Sequence, residues 1–292
     1  MTVAASTVPA TTFRIVRTLA ELAEARAELP GPVGLVPTMG ALHGGHASLM
    51  RFARAECASV VATIFVNPLQ FGPGEDFDRY PRTLDADLAL CTAEGVDLVF
   101  APDVEDMYPG GEPLVRIDPG PLGQRLEGES RPGHFAGMLT VVAKLLTLTR
   151  PDRAYFGEKD YQQLVLIRRM ATDLNLGVDV LGVPIVRDDD GLARSSRNRY
   201  LTPEQRTAAA AIPRSLAAGR TAAERGADGD EVRAAVLTEL ASEPALQLDR
   251  LDLVDSESLQ PLHRHRPGRL LVAVFAGTTR LIDNCAIRIV KG

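Results

Sequence analysis

Two histidines beside a glycine-rich turn are the residues of this chain best placed to do chemistry. His43 and His46 stand three apart, after the β-rich run Val33–Val36 and at the start of a helical pattern. Glycines let the backbone approach a ligand closely, and the first-turn amides of a helix are unpaired donors at the positive end of its dipole. We therefore expect a phosphate group there, with both imidazoles on one face of the helix donating to its oxygens.

A plainer interpretation of the same pair is that one histidine caps the helix or is buried and the other is solvated. For an isolated pair at this spacing, that alternative is the better default. The preceding strand and the helix start favour the phosphate site instead. Metal binding is a weaker alternative, because no cysteine or third histidine nearby completes a ligand set.

A loop that carries two carboxamides follows the next predicted strand. Asn67 and Gln70 lie in a stretch without predicted helix or strand that continues to about Pro81, and loops of this length are usually functional or mobile. Carboxamides both donate and accept hydrogen bonds, which suits the hydroxyl and carboxylate groups of a polyol acid. Ordinary turn chemistry explains the Asn, Pro and Gly residues of this loop equally well.

A charged turn follows a third predicted strand and opens a helix. Lys159 could neutralise a triphosphate, and Asp160 could hold a ribose hydroxyl or orient the lysine. Gln163 lies one helical turn beyond Lys159 and is expected to face the same cleft. A solvated helix start would be the default for the charged residues alone, but their position at a strand end favours a ligand site.

Two hydroxyls and a guanidinium lie near the junction of the two predicted domains. Ser195, Ser196 and Arg197 suit the holding and release of β- and γ-phosphates by a hinged lid. A surface loop with simple turn propensity is the alternative interpretation. The position of these residues at the domain junction favours their role in a lid that closes over the phosphates.

Alternating β-rich and helical segments predict an α/β fold, with a doubly wound, Rossmann-like parallel sheet. Such sheets bind ligands at the carboxyl ends of their strands. Beyond Pro184 the order changes to helices followed by strands, which predicts a smaller C-terminal α+β lid domain and a division into residues 1–184 and 185–292. The predicted strands are Val33–Val36, Ser59–Val66, Val96–Phe100, Ala154–Phe156, Val178–Val183, Leu248–Val254, Arg269–Phe275 and Asn284–Val290, and the predicted helices are Ala47–Ala58, Leu84–Glu94, Phe135–Leu148, Gln162–Leu174, Thr202 towards Arg225, and Asp230–Ser242.

Bulk properties predict a cytoplasmic protein with no nucleic-acid or membrane partner. The 292 residues carry a net charge of −6, so a nucleic-acid footprint would need a local basic patch. The longest apolar run, Leu270–Ala276, is too short to span a bilayer. Three widely spaced cysteines fit a reducing compartment, and Met1–Thr12 is predicted to be a frayed tail because it lacks the features of a signal peptide.

A strand, a glycine-rich turn and two histidines at a helix start form the HxGH signature of nucleotidyltransferases, and longer motifs make the resemblance more specific. From about Phe13 to Arg206 the chain closely resembles the pantothenate synthetase (pantoate–β-alanine ligase) family. The motifs that carry this resemblance are PTMGALHGGH (37–46), TIFVNPLQF (63–71), YPRT (80–83), RPGHFAGM (131–138), TVVAKLL (140–146), YFGEKDYQQL (155–164), GLARSSRNRYL (191–201) and GTTRLIDN (277–284).

The resemblance implies an ATP-dependent ligase of vitamin B5 and coenzyme A biosynthesis. Pantoate would attack the α-phosphate of ATP to give pantoyl adenylate and pyrophosphate, and β-alanine would then displace AMP to give pantothenate. It also implies Mg²⁺, bound mainly through phosphates, and a homodimer. By position, the resemblance implies catalytic roles for His43, His46 and Lys159, ATP contacts from these three and from Met39, Gly157, Asp160, Ser195, Ser196 and Arg197, and pantoate contacts from Gln70 and Gln163.

Two positions depart from the pattern of the family. Arg194 stands where an apolar residue is usual, and Gly44 fills a position where larger residues are common. Other functions remain open at this point. Another small-molecule adenylyltransferase would share the HxGH signature, an aminoacyl-tRNA synthetase would need a basic module, and a nucleotide sensor would not need His43, His46 and Lys159.

Overall fold

The protein contains two separate β-sheets. The computed structural model describes residues 13–263 and 265–289, so the predicted tail Met1–Thr12 lies outside the described residues. Six strands form a sheet in which every pairing is parallel, and three strands near the C-terminus form an antiparallel sheet. This arrangement confirms the predicted α/β fold with a smaller C-terminal α+β part.

The described elements follow one another along the chain in this order: β1 (Arg14–Val16), α1 (Leu19–Ala27), β2 (Val33–Thr38), α2 (Gly44–Glu56), β3 (Ser59–Ile64), α3 (Leu84–Ala93), β4 (Leu98–Phe100), α4 (Val104–Met107), α5 (Glu127–Ser130), α6 (His134–Thr149), β5 (Arg153–Gly157), α7 (Tyr161–Asp173), β6 (Asp179–Val183), α8 (Pro203–Ala208), α9 (Ala211–Glu224), α10 (Gly229–Leu240), β7 (Leu246–Asp255), β8 (Gly268–Ala276) and β9 (Thr279–Ile287). Short 3₁₀ turns at Pro68–Gln70, Pro121–Gly123, Glu158–Asp160 and Ser196–Tyr200 complete the description. No helix in these ranges has the length and apolarity needed to cross a bilayer.

The strand order of the large sheet identifies where a ligand should bind. The strands lie in the order β1-β4-β3-β2-β5-β6. From β2 the chain moves outward through β3 and β4, and it then returns to the other side of β2 to add β5 and β6. The order therefore reverses between β2 and β5, and a crevice at the carboxyl ends of these two strands is the usual ligand site of such a sheet.

Both faces of the large sheet are buried, which explains the nearly continuous apolar runs of its central strands. Leu35 and Phe156 pack into a core that includes residues of α1, α6 and α7. Val36 and Tyr155, one residue along, pack into a second core with residues of α2 and α3. Successive side chains of a strand point to opposite faces, so the two cores hold the ends of β2 and β5 from both sides.

Two sequence predictions differ from the structure at the ends of the chain. The first strand and helix, β1 and α1, were missed, because β1 has only three residues at the sheet edge, where it pairs with β4. The third strand of the small sheet runs over Thr279–Ile287 rather than Asn284–Val290, and Val290 lies outside the described residues. A two-residue turn with Gly277 at φ +62° joins β8 to β9, and this hairpin signal was overlooked.

The helix predicted from Thr202 towards Arg225 is in fact two helices. A short turn separates α8 from α9, and Pro213 occupies the third position of α9. Proline has no backbone N–H and its ring clashes with the preceding turn, so it tolerates the first turn of a helix but not the interior. The division into residues 1–184 and 185–292 stays a prediction, which a separate cluster of buried side chains between Leu192 and Ile289 supports.

Candidate active site at the ends of β2 and β5

One cavity of about 230 Å³ is lined by residues that end β2 and β5. It lies next to a larger cavity of about 630 Å³, because Lys159, Gln163 and Arg197 line both. The structure thus brings together every site residue predicted from the sequence, although their roles stay predictions. The smaller cavity is lined by Met39, His43, His46, Gln70, Gly157, Lys159, Asp160, Gln163, Ser195, Ser196 and Arg197.

The two histidines form a linked cap at the start of α2. The Nδ1 atom of His43 accepts from the Gly45 amide at 3.1 Å, and the Nδ1 atom of His46 accepts from the His43 amide at 3.3 Å. The ring centroids are 4.2 Å apart. Because each Nδ1 accepts a hydrogen bond, the proton of each neutral ring sits on Nε2. The pair therefore offers two N–H donors while it caps the helix.

This cap changes the expectation for the first-turn amides of α2, and it shows that capping and cavity lining are compatible roles for His43. The Gly45 amide is already paired with His43, so not every first-turn amide of α2 is available to a ligand. The capping role was considered an alternative to ligand binding, yet His43 both caps the helix and lines the cavity. Gly45 permits this arrangement, because a Cβ at that position would lie within 2.9 Å of the His43 ring.

Burial keeps both imidazoles uncharged. Burial, with help from the charge of Lys159, lowers the pKa of His43 from 6.5 to about 4. Burial and the neighbouring His43 lower the pKa of His46 to about 3. At neutral pH the two rings are therefore fixed, neutral hydrogen-bond donors rather than cations.

These depressed pKa values predict that the protein loses stability as the pH falls below about 6.5. The unfolded chain takes up protons on its histidines near pH 6.5, whereas folded His46 stays neutral down to about pH 3. In this window the unfolded state binds more protons, so the free energy of unfolding decreases with falling pH.

We expect a smaller decrease in the variant His46→Gln, because that variant lacks one of the titrating rings. The measurement is urea unfolding of both proteins at about pH 7.5 and about pH 5. Equal decreases in the two proteins would show that His46 is not a source of the lost stability.

A buried carboxylate that the sequence analysis missed supports the turn before His43. Asp87 on α3 accepts from the Ala41 amide at 3.0 Å and from the Leu42 amide at 2.7 Å. Gly40 and Ala41 both have positive φ, +83° and +49°, and a non-glycine residue in this region is under strain. Asp87 offsets that strain. An acidic residue on the same helix face as Leu84 and Cys91 was the available signal.

The two carboxamides of the loop after β3, Asn67 and Gln70, differ in their hydrogen-bond partners. Asn67 is buried and uses both ends of its side chain within the protein: Oδ1 accepts from the Tyr108 hydroxyl at 2.8 Å, and Nδ2 donates to Gln70 Oε1 at 3.0 Å. The Nε2 atom of Gln70 lies 3.1 Å from the sulfur of Met39. Both side chains line the cavity, and the hydrogen bond from Asn67 orients Gln70 there.

The charged turn after β5 adopts a 3₁₀ conformation over Glu158–Asp160. The Lys159 side chain is largely buried, and its ammonium lies 3.9 Å from the nearer Asp160 oxygen. Gln163 lines the same cavity one helical turn later, as expected. Sequence reasoning missed the residues that hold this turn from the small sheet, Arg269 and Asn284.

The guanidinium of the predicted lid already has a carboxylate partner. Arg197 donates to both oxygens of Asp76, at 3.0 and 3.1 Å. The hydroxyl of Ser196 lies 3.3 Å from that of Tyr80, and Ser195 Oγ accepts from the Arg197 amide. Asp76 and Tyr80 belong to the long loop after β3, so this loop and the lid segment meet at the cavity.

The two departures from the family pattern are structurally related. The guanidinium of Arg194 packs against the Cα of Gly44, where a Cβ would overlap it. The Nε atom of Arg194 also donates to Asp188 at 2.8 Å. The absence of a side chain at position 44 thus makes room for the arginine at position 194.

Comparisons with known proteins agree on one family. The family model described as Pantoate-beta-alanine ligase matches residues 12–286. A pantothenate synthetase from Salinispora arenicola is 57% identical, over 94% of this chain and 98% of that protein. The crystal structure of pantothenate synthetase from Thermus thermophilus is 51% identical with a TM-score of 0.88, over 94% of this chain and 99% of that one.

A third relative was solved with ligands. The pantoate-beta-alanine ligase from Francisella tularensis, complexed with beta-gamma ATP and beta-alanine, is 36% identical. Its TM-score is 0.79, over 94% of this chain and 97% of that one.

Proposed function

The chain belongs to the pantoate–β-alanine ligase family, and we propose that ATP activates pantoate in the cavity at the ends of β2 and β5. In the first step a pantoate carboxylate oxygen attacks the α-phosphorus, and the bond to pyrophosphate breaks. In the second step the β-alanine amine attacks the pantoyl carbonyl, AMP leaves and the amine loses a proton. The observation that carries this proposal is the convergence of all the predicted site residues on that cavity.

Adenylation requires positive charge and hydrogen-bond donors beside the α-phosphate and the leaving pyrophosphate. His43 and His46 supply two Nε2–H donors that burial keeps neutral, and Lys159 supplies an ammonium from the facing turn. Donors that are held in place before the reaction stabilise the charge that develops in the transition state without reorganising. We assign all three residues to this step.

Pantoate has hydroxyl groups and a carboxylate, which neutral carboxamides recognise well. Gln70, in the loop after β3, and Gln163, in α7, both line the cavity, and Asn67 holds Gln70 in one orientation. We assign these two glutamines to pantoate. An uncharged contact also leaves the attacking carboxylate free of an ion pair that would lower its nucleophilicity.

The remaining site residues are assigned to the nucleotide. Met39, Gly157 and Asp160 would contact its nucleoside part and α-phosphate, and Ser195, Ser196 and Arg197 would hold the β- and γ-phosphates. In the described structure the Arg197 guanidinium forms an ion pair with the Asp76 carboxylate. Asp76 accepts from the Nε and Nη2 atoms of Arg197, so the Nη1 group is the part of the guanidinium that we assign to the phosphates.

Mg²⁺ is expected to arrive with ATP. Among residues 13–263 and 265–289, no three His, Cys, Asp or Glu side chains are grouped so that they could hold a metal ion. A donor set made of phosphate oxygens and water suits Mg²⁺, which keeps much of its hydration shell in nucleotide sites. Asp160 is the carboxylate in the cavity that could add one protein contact.

We also propose a homodimer in the cytoplasm. Leu114 and Val115 support the dimer, because these two adjacent apolar residues are 102% and 83% exposed and exposed apolar surface favours a protein contact. The three cysteines, all free thiols in the described structure, support a reducing compartment.

The proposed function predicts that AMP release requires all three substrates. Incubation with ATP, Mg²⁺ and pantoate should give about one equivalent of pyrophosphate per active site, because the adenylate stays bound, and β-alanine should then release AMP and start turnover. The two products are measured separately by chromatography. Steady AMP release without β-alanine, or none with it, would contradict the ligase assignment.

A further inference from the structure

The turn that carries Lys159 is held by a side chain from the other sheet. Asn284 lies on β9, opposite Leu271 of β8, and is 2% exposed. Its Nδ2 atom donates to the backbone oxygen of Glu158 at 2.9 Å and to that of Lys159 at 3.0 Å. We propose that Asn284 is a positioning residue for adenylation, which fixes the backbone of Lys159 and so aims its ammonium at the phosphates.

The geometry of these two hydrogen bonds singles out Lys159. The Glu158 oxygen belongs to the peptide group before the Lys159 Cα, and the Lys159 oxygen belongs to the peptide group after it. The orientations of these two planar groups set φ and ψ of Lys159. One carboxamide therefore fixes both backbone dihedrals of a single residue, and with them the direction of its Cα–Cβ bond.

The side chain of Lys159 has little else to direct it. Its one ion pair in the described structure is the 3.9 Å approach to Asp160, a neighbour on the same turn. A lysine side chain is a flexible stem with a point charge at its end. A small rotation at its Cα would therefore move the ammonium by a distance that matters for transition-state stabilisation.

The residue type at position 284 is also specific. Two carbonyl oxygens lie within hydrogen-bond distance of one end of the carboxamide, so that end must be the NH₂ group, which has two protons to donate. A carboxylate would repel both oxygens, and an aliphatic side chain would leave both without a partner in a buried place.

A second side chain of the small sheet, Arg269, contacts the same turn but forms no hydrogen bond with the peptide groups that flank Lys159. Arg269 on β8 pairs with the Glu158 carboxylate at 2.5 Å, and its guanidinium lies 4.0 Å from the centre of the Tyr161 ring. These contacts hold the side chains on either side of Lys159. The peptide groups that flank Lys159 are held by Asn284, and the strand pairing of β8 with β9 holds both contacts in one sheet.

The inference rests on the proposed role of Lys159. A double-mutant cycle tests the role of Lys159 and the positioning role of Asn284 separately. The variants are Asn284→Ala, Lys159→Ala and the double variant, and the measurement is single-turnover pyrophosphate formation from ATP and pantoate. We expect Asn284→Ala to slow this step about 10- to 100-fold when Lys159 is present, the usual cost of a misplaced group. In the Lys159→Ala background the same change should have less than about a threefold effect, because the two residues act as a unit.

A matched control removes a buried hydrogen bond of the same part of the fold. Ser215 on α9 is buried and donates to the Ile212 backbone oxygen at 2.8 Å, and Ser215→Ala should lower the Tm while adenylation stays normal. If Asn284→Ala does not fold, Asn284→Ser, which keeps one hydroxyl donor, replaces it in the cycle.

Each result has one meaning. Equal effects of the Asn284 variant in both backgrounds, or no effect in either, would overturn the positioning role. Normal adenylation by Lys159→Ala alone would overturn the proposed role of Lys159, and the inference would fall with it.

Discussion

Replacing Lys159 with alanine is expected to slow pyrophosphate formation about 10²- to 10³-fold, the usual cost of one well-placed charge-stabilising donor. The Lys159 side chain lines the cavity and is only 20% exposed, so solvent screens its charge less than it would at the surface. His46→Ala should have an effect of similar size, because it removes an Nε2–H donor that burial keeps in the neutral form. The loss should appear in the rate of chemistry rather than in pantoate binding.

The measurement is a rapid-quench single turnover with ATP, Mg²⁺ and pantoate, without β-alanine. Lys144→Ala is the matched control, because Lys144 is also partly buried but donates to the Met107 backbone oxygen, away from the lining of the cavity. Its adenylation rate should be normal. A normal rate in Lys159→Ala or His46→Ala would reject the role assigned to that residue.

Asp87→Ala is expected to damage both the stability of the protein and its adenylation. The change removes the acceptor of two buried amides, those of Ala41 and Leu42. A buried donor without a partner costs about 1–3 kcal/mol, so the free energy of unfolding should fall by about 2–6 kcal/mol. The turn before His43, whose Gly40 and Ala41 have positive φ, would then relax and move the imidazoles.

Urea unfolding measures the first effect, and single-turnover adenylation of the folded variant measures the second. Asp152→Ala provides the comparison, because Asp152 accepts from the Val33 amide at 2.6 Å at the opposite end of β2. It should lose stability and keep its adenylation rate. If Asp87→Ala adenylates pantoate at the normal rate while folded, Asp87 supports the fold and not the site.

The centre of the large sheet could be predicted because its signals are local. The apolar runs of β2, β3 and β5 are short and bounded by turn residues, and β5 carries the polar turn with Lys159 directly at its end. Parallel strands place their carboxyl ends at one edge of the sheet. Predicting those strands was therefore enough to predict that His43, Gln70 and Lys159 would line one cavity.

The edges of the fold could not be predicted in the same way. Strand β1 is only three residues long, and its pairing with the distant β4 gives it a place in the sheet. The break between α8 and α9 depends on how Pro213 affects one helical turn within an otherwise alanine-rich stretch. In both places the conformation of a short segment depends on its pairing partner or on a local steric clash, which averaged propensities do not capture.

The amino-acid sequence by itself determined which groups line the proposed ATP site, because strand, turn and helix signals lie within a few residues of each histidine and of Lys159. Only the tertiary structure decided how these groups are held. Asp87, Asp76 and Asn284 act on residues between 45 and 126 positions away in the chain. For Asp76 and Asn284 no local pattern distinguishes the side chain from an ordinary polar residue, because its partner is defined only once the chain has folded.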